Sequence, residues 1–271
     1  MGKLPIISIA NHKGGVGKTT IACNLSAGIC RQKKNDGKNF KGLLIDLDPQ
    51  ANTSHTMVKE PQDVTNTIRD ALNGVSMQDC VYPTKQKNLY VCPSNIYLFH
   101  EEIKMINSPS SALYCQKILE NNKTFLDTFD FVLIDSPPNL GPFMMNAVSC
   151  CNHYIVPIQA GGIYSLVGLN LLEDRIKDIQ HLTQNDINLL GYVLNEYDAR
   201  TNASKEMLSQ VKHFYGAKVF ESVIRRNTNL QQSQTLKKPV FSLDANCNGA
   251  IDFTRLANEV IQKIWRKTND R

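Results

Sequence analysis

The residues with the most chemistry per position are Lys13-Gly14-Gly15-Val16-Gly17-Lys18-Thr19-Thr20. Glycines at 14, 15 and 17 let the backbone curl and aim successive N–H groups inward. A helix starting at the same point adds positive potential. Such a loop calls for an anion. Lys18 offers a formal charge to a terminal phosphate, and Thr19 a hydroxyl to the Mg²⁺ that travels with a nucleotide. Gly14, Gly15, Val16, Gly17, Lys18, Thr19 and Thr20 are therefore the expected nucleotide-binding set. The general pattern, G-x-x-x-x-G-K-[ST], is missing its first glycine: His12 occupies that position, and Lys13 follows it.

Carboxylates supply the second kind of chemistry. Leu43-Leu44-Ile45-Asp46 runs into Leu47-Asp48-Pro49-Gln50, and Phe131-Val132-Leu133-Ile134-Asp135 into Ser136-Pro137-Pro138. A continuous apolar run closing on an aspartate reads as a buried parallel strand with a carboxylate at its carboxyl end. In an open α/β sheet that end is where ligands bind.

The elements that must position these groups are legible from pattern. Pro5–Ala10 is apolar and β-rich, and Ile21, Ala22, Leu25 and Ile29 recur at helical spacing to about Cys30. Residues 31–42 read as an exposed polar connection. Val64–Leu72 and Ala112–Leu126 look helical, with Pro109 breaking the stretch before the latter. Asn88–Asn95 reads as a strand ending in a turn, Tyr154–Gln159 and Leu189–Leu194 as strands, and Ser165–Ile179 as an amphipathic helix. A last helix, Ile251 to about Trp265, is expected to put Ile251, Leu256, Val260, Ile261 and Ile264 on one face. Arg255, Lys263, Arg266 and Lys267 fall on the other.

With 271 residues, 42% hydrophobic and 20% charged, the chain suits one soluble α/β domain over residues 1–271. No apolar run approaches the ~18 residues of a membrane span, and the N-terminus runs straight into the first strand, leaving no signal peptide. The eight cysteines are scattered without a C-x-x-C pair and the six histidines are dispersed, so no metal cluster is expected from either. The net charge of +5 is lopsided: residues 223–271 hold nine Lys/Arg against four Asp/Glu, and the rest of the chain balances. A solvated basic face and an anionic partner both fit that excess.

K-G-G-V-G-K-T-T resembles the deviant Walker A loop of the ParA/MinD ATPases. D-L-D-P-Q from Asp46, the Walker B-like strand ending at Asp135, P-P-N-L-G from Pro137 and Y-D-A-R-T from Tyr197 continue the resemblance to Soj-like ParA proteins. V-I-R-R-N from Val223 parallels a family V-I-P-R-N with Arg225 in place of proline, and K-K-P-V from Lys237 parallels G-K-P-V/I.

The resemblance implies a mostly parallel twisted sheet flanked by helices on both faces. It also implies a Mg²⁺-dependent ATPase without an N-terminal helix-turn-helix domain. Lys13 would reach across an ATP sandwich homodimer, Lys18 would bind phosphate and Asp48 would orient the attacking water. Asp46 would support the Mg²⁺ shell and Asp135 would hold the ion through water, with Thr19 as its hydroxyl ligand. Asn195 would meet adenine with an amide that both donates and accepts. Such proteins are cytoplasmic and nucleoid-associated, have no stable membrane anchor, bind DNA non-specifically as dimers and answer to a ParB-like adaptor that segregates plasmids or chromosomes. Arg225, Arg226, Lys238 and Arg266 are the expected DNA contacts. Three other readings stay open: a MinD-like membrane ATPase, an iron–sulfur scaffold of the same superfamily, and the same cycle acting on a protein cargo.

Overall fold

The computed structural model describes residues 3–106, 111–160 and 167–266. Seven strands form one sheet: β1 (Ile6–Ile9), β2 (Gly42–Asp46), β3 (Tyr82–Pro83), β4 (Leu89–Cys92), β5 (Phe131–Asp135), β6 (His153–Gln159) and β7 (Asn188–Asn195). The helices are α1 (Lys18–Cys30), α2 (Asn52–Met57), α3 (Ile68–Leu72), α4 (Leu98–Ile106), α5 (Tyr114–Asn121) and α6 (Lys123–Leu126). After them come α7 (Pro142–Ser149), α8 (Val167–Thr183), α9 (Asn202–Tyr215), α10 (Thr228–Thr235), α11 (Val240–Leu243) and α12 (Asn248–Ile261).

The strand order is β3-β4-β2-β5-β1-β6-β7, parallel throughout except for the short edge strand β3. Strand alternation sends successive side chains to opposite faces. Leu44, Leu133, Ile7 and Ile9 face α1 and α12. Leu43, Ile45, Val132 and Ile134 face α3, α5 and α7. Val156 and Ile158 continue that second face under α8 and α9. Burial on both faces explains why the central strands read as unbroken apolar runs. Register then sets the chemistry: Asp46 pairs with Asp135, and Ile9 with Asp135, so the ends of β1, β2 and β5 meet at one edge.

Several expected elements change length. The Val64–Leu72 helix begins only at Ile68, because the Asp70 carboxylate accepts from the Thr67 N–H in a capping box. Ala112–Leu126 divides at Asn122, whose side-chain oxygen accepts from the Met77 N–H while its amide donates to Ile118. Ile251 does not join the core and is 37% exposed. The buried stripe of α12 is Ala250, Phe253, Leu256, Ala257 and Val260, and Ile251 falls on the opposite side of the helix. The chain then makes a π-type turn, Gln262–Arg266, that lays Trp265 on Phe40, ring centres 4.9 Å apart. Pro109, Ser165 and Lys267 lie outside the described residues. No helix among the described residues is long and apolar enough to cross a membrane.

Candidate nucleotide and phosphate site

The glycine-rich loop closes between β1 and α1 as its residue types require. Gly15 and Gly17 take φ of 74° and 91°, the left-handed region where a side chain is strained. Gly17 also has no room for a side chain: a Cβ there would collide with the Asn195 amide nitrogen. The loop is anchored at its start by Asn11, whose amide donates to Pro157 at 2.7 Å and whose oxygen accepts from the Lys13 N–H at 2.9 Å. Asn11 carries no motif signal. Only the neighbouring strand β6 reveals what it does.

Lys18 is buried and its Nζ donates to the Lys13 carbonyl oxygen at 3.0 Å, spanning the loop. Burial lowers its affinity for a proton, and the fields of Asp135 and Asp48 oppose that. The same loop therefore holds a partly desolvated cation turned inward across the place where a phosphate would sit.

Asp135 is fully buried. Its Oδ2 accepts from Thr19 Oγ1 at 2.8 Å and Thr53 Oγ1 at 2.7 Å. Its Oδ1 is enclosed and accepts no hydrogen bond. An orphaned carboxylate oxygen beside a threonine hydroxyl is a donor set that fits Mg²⁺, a hard cation that keeps several of its waters. Burial raises Asp135 to about 6, with the Asp48 charge adding to the rise, while both threonine hydroxyls and Lys18 pull it down. Thr53 belongs to no motif read from the sequence. Its signal is position: it follows the D-L-D-P-Q turn closely enough for α2 to carry it back over the end of β5.

Asp46 is fully buried, and its oxygens are hydrogen-bonded within the protein: Oδ1 accepts from the Asp48 N–H at 3.1 Å, and Oδ2 from the Ser54 N–H at 2.9 Å and Ser54 Oγ at 2.6 Å. Ser54 Oγ in turn accepts from the Ser94 N–H at 2.7 Å. Asp46 thus holds the turn that carries Asp48. Burial and neighbouring Asp135 raise it to about 8. Asp48 sits at the crevice rim, 9% exposed, and its Oδ1 accepts from the Gln50 N–H. Glu102 of α4 faces it, and burial together with the Asp48 charge raises that carboxyl.

Asn195 closes β7 beside the loop, and its amide nitrogen donates to the Val16 carbonyl oxygen at 2.9 Å. That bond braces the loop with one of the amide's two N–H groups, and its oxygen remains an acceptor. The expected DNA contacts do not share one surface. Arg225 forms a bidentate pair with buried Asp252, closest approach 2.7 Å, so its charge is largely neutralised. Arg226 is exposed next to Tyr197, at the carboxyl edge of the sheet. Arg266 follows Trp265, which packs on Phe40 and Phe131 at the amino ends of β2 and β5, the opposite edge. Lys238 lies beyond α10.

A parallel sheet with a glycine loop after β1, a cation in the loop and aspartates ending β2 and β5 defines a P-loop nucleotide hydrolase of the deviant Walker A kind. A family model described as an AAA domain matches residues 4–189. The chain is similar to the chromosome-partitioning ATPase Soj of Treponema pallidum, 34% identical over 97% of this chain and 98% of that one. It is similar to the sporulation initiation inhibitor protein Soj of Bacillus subtilis, 34% identical over 96% and 98%. Among solved structures, cobyrinic acid a,c-diamide synthase of Mycobacterium smegmatis with bound ATP analog and magnesium superposes with a TM-score of 0.80. The two are 25% identical over 99% of this chain and 98% of that one. The chain belongs to the ParA/MinD family, as a ParA/Soj-type partition ATPase.

Proposed function

We propose that the chain is one ParA-like unit that hydrolyses ATP to ADP and phosphate with Mg²⁺, cycling between a monomer and an ATP-bound sandwich homodimer. The observation that carries this reading is the unpartnered oxygen of Asp135 beside Thr19 and Lys18. It is an enclosed carboxylate oxygen with no hydrogen-bond partner of the protein's own, set beside a hydroxyl and a cation. Thr19 and Asp135 would hold Mg²⁺, which supplies charge neutralisation to the phosphates when bound. The N–H groups of residues 14–20 cradle the phosphates, and Lys18 leaves the Lys13 carbonyl for the terminal one. Asp48 orients the attacking water from the rim. Lys13 completes the partner's site. Asn195 braces Val16 with one N–H and would meet adenine with the rest of its amide.

In this reading the dimer binds DNA without sequence preference through cations of the C-terminal segment, associates with the nucleoid in the cytoplasm and is released when a ParB-like adaptor stimulates hydrolysis. Arg226 and Lys238 are the contacts kept from the sequence. Arg225 is set aside because Asp252 holds it, and Arg266 because it lies at the other edge.

The test is Asp48→Ala. Removing a water-orienting carboxylate leaves every phosphate contact in place, so this variant is expected to accumulate as an ATP-bound dimer by light scattering with ATP and Mg²⁺, with hydrolysis reduced by about a hundredfold or more. A variant that stays monomeric, or one that turns over at the parent rate, overturns the assignment.

A further inference from the structure

The turn between β3 and β4 brings a lysine to the end of α10 that the charge count along the chain does not anticipate. Lys85 Nζ donates to the Lys237 carbonyl oxygen, 152 residues away in sequence. Lys237 and Lys238 both bear on it, and only Glu60 opposes them. Three ammonium groups thus share one patch that mutual repulsion would disperse. Along the segment that carries two of them, residues 222–243 contain no Asp or Glu.

Lys237 adds an independent observation. It takes φ of 51°, and the N–H groups of Lys237 and Lys238 turn back to Gln234 and Ser233. That is the left-handed position closing a helix, which glycine fills without strain. A lysine held there keeps a cation at the cost of backbone strain, the pattern found where local geometry serves binding. Between this patch and exposed Arg226, α10 spans roughly 12 Å. Its exposed side carries Thr228, Gln231, Gln232, Gln234 and Thr235, all uncharged hydrogen-bonding groups. Cations at both ends of a polar, acid-free helix suit a rod of evenly spaced phosphates. A membrane surface would call for a broad apolar face, whereas α10 exposes polar side chains with Leu236 at its end.

We propose that Lys85, Lys237 and Lys238 form a phosphate-backbone contact for duplex DNA, with Lys85 supplied by the β3–β4 turn. This rests on the DNA-binding reading above.

The experiment is fluorescence-anisotropy titration of two unrelated labelled duplexes with the ATP-loaded protein at several salt concentrations. Removing one lysine–phosphate pairing should lower the slope of log K against log salt by about 0.9, or about eightfold in K at 0.1 M salt. Lys85→Gln is expected to lower the slope by that amount per protomer on both duplexes, and Lys85→Arg to keep it. Lys237→Gly is expected to lower the slope while leaving the melting temperature equal or higher, because the strain is relieved. A lysine that only capped α10 would give the reverse: an unchanged slope with a lower melting temperature. Parental slopes in both Lys85→Gln and Lys237→Gly, with the parent binding DNA, overturn this inference alone. A parent that binds vesicles of phosphatidylglycerol and phosphatidylcholine but neither duplex overturns the DNA-binding reading with it.

Discussion

Lys13 and Lys18 stand in one loop, and the structure separates what each can do. Lys18 is buried and already turned inward across the loop, with Asp135 and Asp48 in its field. Lys13 is half-buried, and its backbone is fixed by Asn11. Replacing Lys18 should therefore remove the inward cation from its own phosphate site. Lys18→Ala is expected to weaken ATP binding at least tenfold and abolish hydrolysis. Lys13→Ala should bind ATP within a few-fold of the parent and still lose hydrolysis, because its target is the partner's nucleotide. Titration with a fluorescent ATP analogue separates the two. An equal drop in affinity in both variants would count against a role for Lys13 across the dimer.

Parallel pairing brings the ends of β2 and β5 side by side, and with them two buried carboxyls, Asp46 and Asp135. Their ordinary value is near 4, but burial lifts Asp135 to about 6 and Asp46 to about 8. A raised acid binds its proton more tightly folded than unfolded. Below about pH 4 both states are protonated and the pair contributes nothing. As pH rises towards 8 the unfolded chain has released protons that the folded one retains, so stability falls through that window and levels off above it. The urea midpoint of metal-free protein is expected to drop between pH 5 and pH 8, by at least about 1 kcal/mol of unfolding free energy. Asp46→Asn should flatten most of that slope. A parent midpoint independent of pH over this range would overturn the account.

A second link between elements joins the loop to α10. Gln234 donates to the Thr20 hydroxyl, and the Val240 N–H to the Asn24 side-chain oxygen at 2.8 Å. The segment bearing the cations is thereby fastened to the helix that starts at the phosphate loop.

At the scale of the molecule the basic excess is divided. One part lies by α10 and the β3–β4 turn, and Arg266 follows Trp265 at the amino ends of β2 and β5. A single protomer would place only a few ammonium groups on one duplex, too few for firm binding at physiological salt. Two linked protomers gain by effective concentration. DNA binding is expected to require ATP and to follow dimer formation, tightening at least tenfold over the ADP state. Unrelated duplexes should bind alike, since phosphate contacts carry no base information. Gel-shift titration with ATP, ADP or no nucleotide checks this; equal binding in all three would rule out gating by the dimer.

The parts of this protein readable from sequence are those whose physics is local. A glycine loop between a strand and a helix needs only its neighbours, so Gly14 to Thr20 sit where their spacing placed them. Strands buried on both faces announce themselves as apolar runs, and their closing aspartates came with them. What lay beyond the sequence depended on partners distant along the chain. Asp46 and Asp135 look alike at strand ends, yet Ser54 satisfies one while the other keeps an unpartnered oxygen. Asn195 has the chemistry of an adenine contact, but only the packing of β7 against the loop shows that Val16 takes one of its two N–H groups. Arg225 counts as a free cation until Asp252, 27 residues on, comes beside it. Lys85 carries no signal until the β3–β4 turn is laid against α10. Residue type and spacing state which groups can do chemistry, but hydrogen-bond capacity and charge are shared through space. Only the packing of one segment on another decides which of them remain uncommitted.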